Sequence, residues 1–139
     1  MRKRFAARQA ELDAIRAFVE STCAAMARDD QQRVILLVEE LFANSVSHGY
    51  GGDCDQPVWL TLEMRDKTCR VVYEDAAPPH DPFAAAPSPH LDGTLEERPI
   101  GGLGIVLLTE LSSTHSYARQ GDRNVIDFEV PLSSRDGAS

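Results

Sequence analysis

The chain has 139 residues, of which 42% are apolar and 26% charged, a length and balance ordinary for one soluble domain with its own core. Its net charge of −8 argues against direct nucleic-acid binding, because phosphate contacts need a basic surface. No apolar run approaches the roughly 20 residues of a membrane-spanning helix.

The start, Met1-Arg2-Lys3-Arg4-Phe5, is basic, and no apolar run of signal-peptide length follows it. Leu12, Ile15, Val19, Thr22 and Met26 recur at steps of three and four, which predicts an amphipathic helix over about 8–27. Asp29-Asp30 supplies cap-type residues for a second helix, about 30–48, on which Val34, Leu37, Val38, Leu41 and Ser45 share a face. Gly49 suits the position just past its end. Val58, Leu60, Leu62 and Met64 alternate with Trp59, Thr61 and Glu63, which predicts a half-buried strand; Cys69–Asp75 forms a second, with Val71, Tyr73 and Asp75 on one face. Residues 76–99 hold six of the eight prolines and no apolar period, the composition of a lid or a disordered loop. Gly101-Gly102-Leu103-Gly104 opens an apolar helical stretch, Ile105 to Leu111. Strands at about 113–119 and 124–131 follow, joined at Gly121-Asp122-Arg123. The order is that of an α+β domain, helices on one face of an antiparallel-rich sheet. Residues 133–139 read as a frayed tail. The three cysteines, Cys23, Cys54 and Cys69, lack C-x-x-C spacing and suggest neither disulfides nor zinc; a reduced, cytoplasmic setting fits.

Three groups of residues carry possible chemistry. Glu40 and Asn44, one turn apart on the second helix, share a direction at the edge of its apolar stripe. An amide oxygen suits a hard cation and a carboxylate can take a proton; the alternative is a solvated helix face. Glu39 points away as a surface charge. Asp75 lies on the buried face of its strand, where a carboxylate needs a donor. Either a ligand such as an adenine amine supplies one, or Asp75 caps the turn that follows. The glycines at 101, 102 and 104 let backbone amides approach phosphate oxygens at a helix start, or simply make a tight turn. No G-x-x-x-x-G-K-[ST] is present, which excludes a P-loop, and the glycines follow no strand, unlike a dinucleotide fold. His48 sits in the last helical turn, where a cation suits the dipole. Trp59 and Tyr73 are expected to pack.

Together these segments resemble the GHKL ATPases (gyrase, the heat-shock chaperone, histidine kinases and mismatch-repair ATPases), and within them the bacterial anti-sigma regulatory serine/threonine kinases, over about 5–132. Glu40-Leu41-Phe42-Ala43-Asn44-Ser45-Val46-Ser47-His48 resembles the family's N box, Asp75 through Pro82 its G1 box, and Arg98-Pro99-Ile100-Gly101-Gly102-Leu103-Gly104 its G2 box. The resemblance implies a two-layer α/β sandwich that binds Mg·ATP between the second helix, a lid at 83–99 and the sheet. It makes Asn44 the Mg²⁺ ligand, Glu40 the catalytic base and Asp75 the reader of adenine. Ala77 and Pro79 are implied beside the base, and Gly102, Leu103 and Gly104 at the phosphates. Arg98 is either a phosphate partner or a solvated charge. The implied partners are an anti-anti-sigma protein of the STAS fold, as phosphorylation substrate, and a sigma factor; a homodimer is compatible. Ala77 stands where the family has glycine, and His80 where it has an aromatic. Either the Cβ at 77 crowds the base, or the backbone there needs no positive φ. One alternative is a module of the same fold that sequesters a protein without catalysis. Another is an ATPase or the catalytic piece of a histidine kinase, against which no domain with a phosphorylatable histidine is recognised beside it.

Overall fold

The computed structural model describes residues 1–83 and 102–133. The elements are β1 (Arg2–Ala6), α1 (Leu12–Thr22), α2 (Arg28–Asn44), β2 (Pro57–Met64), β3 (Thr68–Asp75), α3 (Gly102–Leu111), β4 (Thr114–Gln120) and β5 (Arg123–Pro131). The strands form one antiparallel sheet in the order β1-β2-β3-β5-β4.

The apolar period of α1 outlasts the helix. Ile15, Phe18 and Val19 are buried along it, but the helix ends at Thr22 and Cys23 leaves helical geometry. Cys23 and Met26 stay in the core because a turn continues the path: the Met26 N–H donates to the Cys23 carbonyl, and Gln31 Nε2 donates to that same oxygen at 2.9 Å. A helix over 8–27 is therefore too long.

On α2 the predicted stripe of Val34, Leu37, Val38, Leu41 and Ser45 is buried, and Ile35 and Phe42 join it. Asp29-Asp30 does not cap this helix; Ala27 precedes its first turn and caps it with no side-chain bond. Asp30 lies within that turn, 1% exposed, and its carboxylate accepts from Arg33 Nη1 at 2.8 Å, Ser133 N at 3.0 Å and Ser133 Oγ at 2.8 Å. A cap-type residue has become a tie between the start of α2 and the chain after β5, where the frayed tail was expected to begin. At the other end α2 runs into one wide helical turn, Ser45–Gly49. Gly49 has no left-handed φ; Gly51 and Gly52 do, at 77° and 135°.

Alternation in β2 and β3 places Val58, Leu60, Leu62, Cys69, Val71 and Tyr73 in the core, joined by Ile126, Phe128 and Val130 of β5. Against them pack Ile15, Val19, Val38, Leu41, Ile105 and Leu108 of the three helices, which completes the expected two-layer α+β sandwich. Each such side chain contributes about 1.5–3 kcal/mol when fully buried. The unanticipated strand is β1, where the basic start pairs with β2 in the register Phe5↔Val58. On the opposite sheet face the Trp59 ring lies under the Arg123 guanidinium at 3.8 Å, and Arg123 and Arg2 both pair with Glu74. Among the described residues no helix is long and apolar enough to cross a membrane.

Candidate functional site

The site is built where the C-terminal half of α2 passes the ends of β3 and β5 and the first turn of α3. Glu40 and Asn44 are half-buried, and neither side chain makes a hydrogen bond or ion pair among the described residues. Glu39, by contrast, pairs with Arg16 at 2.9 Å. Gly102, Leu103 and Gly104 lie in the first turn of α3 rather than in a loop before it. Gly104 sits against Glu40: a Cβ built there would fall 2.7 Å from Glu40 Cβ and 3.1 Å from its Cδ. The glycine is required by the close passage of two helices, whatever its amide does. Arg98, Gly101 and all of the expected lid at 83–99 except Phe83 lie outside the described residues.

Asp75 is 8% exposed, on the inner face of β3 opposite Asn124 of β5. Its Oδ1 accepts from Asn124 Nδ2 at 2.9 Å and from the Ala77 N–H at 3.2 Å; its Oδ2 accepts from Ser45 Oγ at 2.6 Å. Ser45 Oγ is in turn 2.7 Å from the Tyr73 hydroxyl, which also reaches the Leu41 carbonyl at 3.2 Å. Burial holds the Tyr73 phenol well above its usual pKa. Tyr50 closes the turn from outside: its hydroxyl donates to the Pro57 carbonyl and accepts from the Ala76 N–H, both at 2.7 Å, and burial pushes its pKa up to about 12. Asp75 thus caps its turn through Ala77, and its inward-facing carboxylate finds further donors in Asn124 and Ser45.

Asn124 fixes the same turn from the sheet. Besides Asp75 it reaches the Ala77 and Pro78 carbonyls at 3.2 and 3.0 Å through Nδ2, and its Oδ1 accepts from the His80 N–H and the Tyr117 hydroxyl. Arg119 Nη1 donates to the Ala77 carbonyl at 2.8 Å. Neither Asn124 nor Arg119 stood out in the sequence, because their relevance comes only from strand pairing. The signal for Ser45 was there: a hydroxyl on an apolar stripe needs a partner.

Ala77 is 2% exposed, and no non-glycine residue among those described has positive φ, so the turn does not need left-handed backbone. Its methyl faces Gly49: a Cβ built on Gly49 would lie 3.0 Å from Ala77 Cβ, and 3.9 Å from both the Asn44 carbonyl and Asp75 Oδ2. The methyl that replaces hydrogen at 77 is accommodated by hydrogen at 49. Pro79 and His80 are exposed, and Phe83 packs on His115 with ring centroids 4.7 Å apart.

The fold therefore brings Glu40, Asn44 and Gly104 together at one end of α2, and Asp75, Ala77, Gly49 and Ser45 at the turn just beyond it. A buried carboxylate with room to accept suits the amine of a base. A single amide oxygen with no partner among the described residues suits Mg²⁺, which keeps waters and phosphate oxygens in its shell rather than a cage of protein ligands. Among the described residues no group of three His, Cys, Asp or Glu could hold a metal on its own.

A family model described as a histidine kinase-like ATPase domain matches residues 5–130. Comparison with curated protein sequences yields no match. Among solved structures, the Erythrobacter litoralis EL346 blue-light activated histidine kinase superposes with a TM-score of 0.53 at 20% identity, over 81% of this chain and 33% of that one. The histidine kinase domain from the same protein gives 0.53 at 19%, over 92% of this chain and 62% of that one. The Acinetobacter baumannii histidine kinase AdeS gives 0.50 at 12%, over 96% and 68%. The chain thus spans a third to three-fifths of the first two structures, and at these identities the likeness is one of fold.

Proposed function

Since the chain belongs to the histidine kinase-like ATPase domain family, we propose that it is an ATP-dependent protein serine/threonine kinase that also serves as an anti-sigma factor, phosphorylating an anti-anti-sigma protein of the STAS fold. The observation that carries this reading is a pair of half-buried polar side chains one turn apart on α2, Glu40 and Asn44, without partners among the described residues, next to Ser45, which bonds to the buried carboxylate of Asp75 at the end of β3. Among the described residues every buried polar side-chain atom is satisfied; Glu40 and Asn44 are the half-exposed polar groups at the edge of the core that a ligand can complete.

In this reading ATP is the phosphoryl donor. Asp75 accepts a hydrogen bond from the adenine amine, with Ala77 and Pro79 beside the base. The backbone of Gly102, Leu103 and Gly104 lies at the positive end of α3 and receives phosphate oxygens, with Arg98 as a further phosphate partner. Asn44 would hold Mg²⁺, which supplies charge neutralisation to the phosphates. Glu40 takes the proton from the partner's hydroxyl. Positioning and electrostatics are the whole of what such a site offers, so hydrolysis of ATP by water is expected to be slow. A phosphate on the partner adds close to two negative charges. Against a chain of net charge −8 it weakens the complex and frees the kinase for its sigma factor.

The assay incubates the chain with ATP, Mg²⁺ and a STAS-fold candidate and locates phosphate on the candidate by mass spectrometry, with Glu40→Ala as control. One acid-stable phosphoserine or phosphothreonine, lost in the control, is expected. The histidine kinases among the structural neighbours support a second reading, in which the acceptor is a histidine on another domain. Acid-labile phosphate on a histidine would select it. ATP binding with no transfer to any partner would leave a protein-sequestering module.

A further inference from the structure

A carboxylate has about four acceptor positions, two on each oxygen. In Asp75 three are taken by the protein itself: Oδ1 receives Asn124 Nδ2 and the Ala77 N–H, and Oδ2 receives Ser45 Oγ. Among the described residues no other donor reaches Asp75, so one position remains, on Oδ2. The amide of Asn124 cannot turn over to change this count. Its oxygen already takes two donors, the His80 N–H and the Tyr117 hydroxyl, and its nitrogen faces three acceptors, Asp75, Ala77 and Pro78. Strand pairing holds it directly opposite Asp75.

Resting on the reading of Asp75 as the group that meets the base, we propose that Asn124 sets nucleotide selectivity as a positioning residue. By filling Oδ1 it limits the carboxylate to one incoming N–H. Adenine offers an exocyclic amine that satisfies one acceptor. Guanine presents an oxo group at the matching place, and its N1–H and N2–H lie side by side, a pair that a carboxylate takes best through both oxygens at once. Asn124 closes that two-oxygen mode. Removing its N–H opens Oδ1 and admits guanine.

The test measures the dissociation constants of Mg·ATP and Mg·GTP by calorimetry for the wild-type chain, Asn124→Leu, Asn124→Ala and Ser45→Ala. Leucine keeps the buried volume and alanine releases it; whichever retains the wild-type far-ultraviolet spectrum is used. In the Asn124 variants the preference for ATP falls by about tenfold or more, the worth of one charge-assisted hydrogen bond, and part of the change is tighter GTP binding. In Ser45→Ala the second opening appears on Oδ2 while Oδ1 stays filled, so the preference persists even where affinity falls. A merely structural role for Asn124 would weaken both nucleotides alike and leave their ratio unchanged, which overturns the proposal. Should neither Asn124 variant fold, Tyr117→Phe strips one of the two donors that fix the amide, and the same loss of preference is expected at smaller size; an unchanged ratio there also overturns it. Wild-type chain that binds neither nucleotide overturns the functional reading and this proposal together, whereas ATP binding with an unmoved ratio overturns only the latter.

Discussion

At the scale of single residues the site depends on which atoms are missing as much as on which are present. Gly104 lacks the Cβ that would stand 2.7 Å from Glu40 Cβ, closer than real Cβ atoms approach one another. Gly104→Ala must therefore push α3 away from α2 or twist the Glu40 side chain, at a cost of about 1–3 kcal/mol for overpacking. Much of that cost should vanish in a Glu40→Gly background, giving a coupling energy of about 1 kcal/mol or more in a denaturant double-mutant cycle. Additive effects would mean that Gly104 is kept for some reason other than room for Glu40. Asn44 poses the complementary question. Its side chain makes no bond among the described residues, so Asn44→Ala should leave thermal stability within about 0.5 kcal/mol, as for other uncoupled sites. It should also abolish the Mg²⁺ dependence of ATP binding. A folded Asn44→Ala chain whose ATP affinity still rises with Mg²⁺ would place the metal elsewhere.

At the scale of elements, α2 organises the molecule. Its buried stripe joins the other two helices to the sheet, its far end carries Glu40 and Asn44, and its first turn ties down the chain after β5 through Asp30. Asp30→Ala removes a fully buried carboxylate and leaves the Ser133 N–H and hydroxyl without their acceptor, an expected loss of about 1–3 kcal/mol in urea denaturation. Asp30→Asn, which keeps an acceptor, should recover part of it; no loss in either variant would reduce the tie to a contact of no consequence. The helix stripe and the alternation in β2 and β3 were legible in the sequence because burial repeats at the period of the element. So was the inward face of Asp75. What pairs across the sheet was not: Asn124 and Tyr117 meet Asp75 and its turn only through strand register, and no local pattern records that partnership. The end of α1 was misjudged because Cys23 and Met26 keep the apolar period through a turn, and Asp30 because a side chain suited to capping also suits a distant amide. The closeness of Gly49 to Ala77 was likewise invisible, since a glycine needed for contact looks the same as one needed for φ.

At the scale of the whole molecule, titration of the buried phenols should shape alkaline unfolding. Burial raises Tyr50 from 10 to about 12 and Tyr73 above its usual value. The folded state therefore holds protons that the unfolded chain releases above pH 10, and the stability these groups contribute is present below pH 10 and lost as pH rises toward 12. Urea midpoints should fall more steeply over that window in the wild type than in Tyr50→Phe, and parallel curves would remove Tyr50 from the account. The sheet has two edges, β1 and β4, and the first of these is made by Arg2, Lys3 and Arg4, all exposed. Unpaired strand edges invite growth by addition of further chains, and clustered positive charge is a recognised deterrent. With β1 deleted through Ala6, the backbone of β2 would present its unpaired donors and acceptors alongside the apolar side chains of Val58, Leu60 and Leu62. The truncated chain should scatter light at concentrations where the intact one stays clear, and replacing all three basic residues by threonine should reproduce part of the effect. In an otherwise acidic molecule, the densest positive charge then acts as a guard against self-association, and its removal would show first as turbidity while the nucleotide site was still intact.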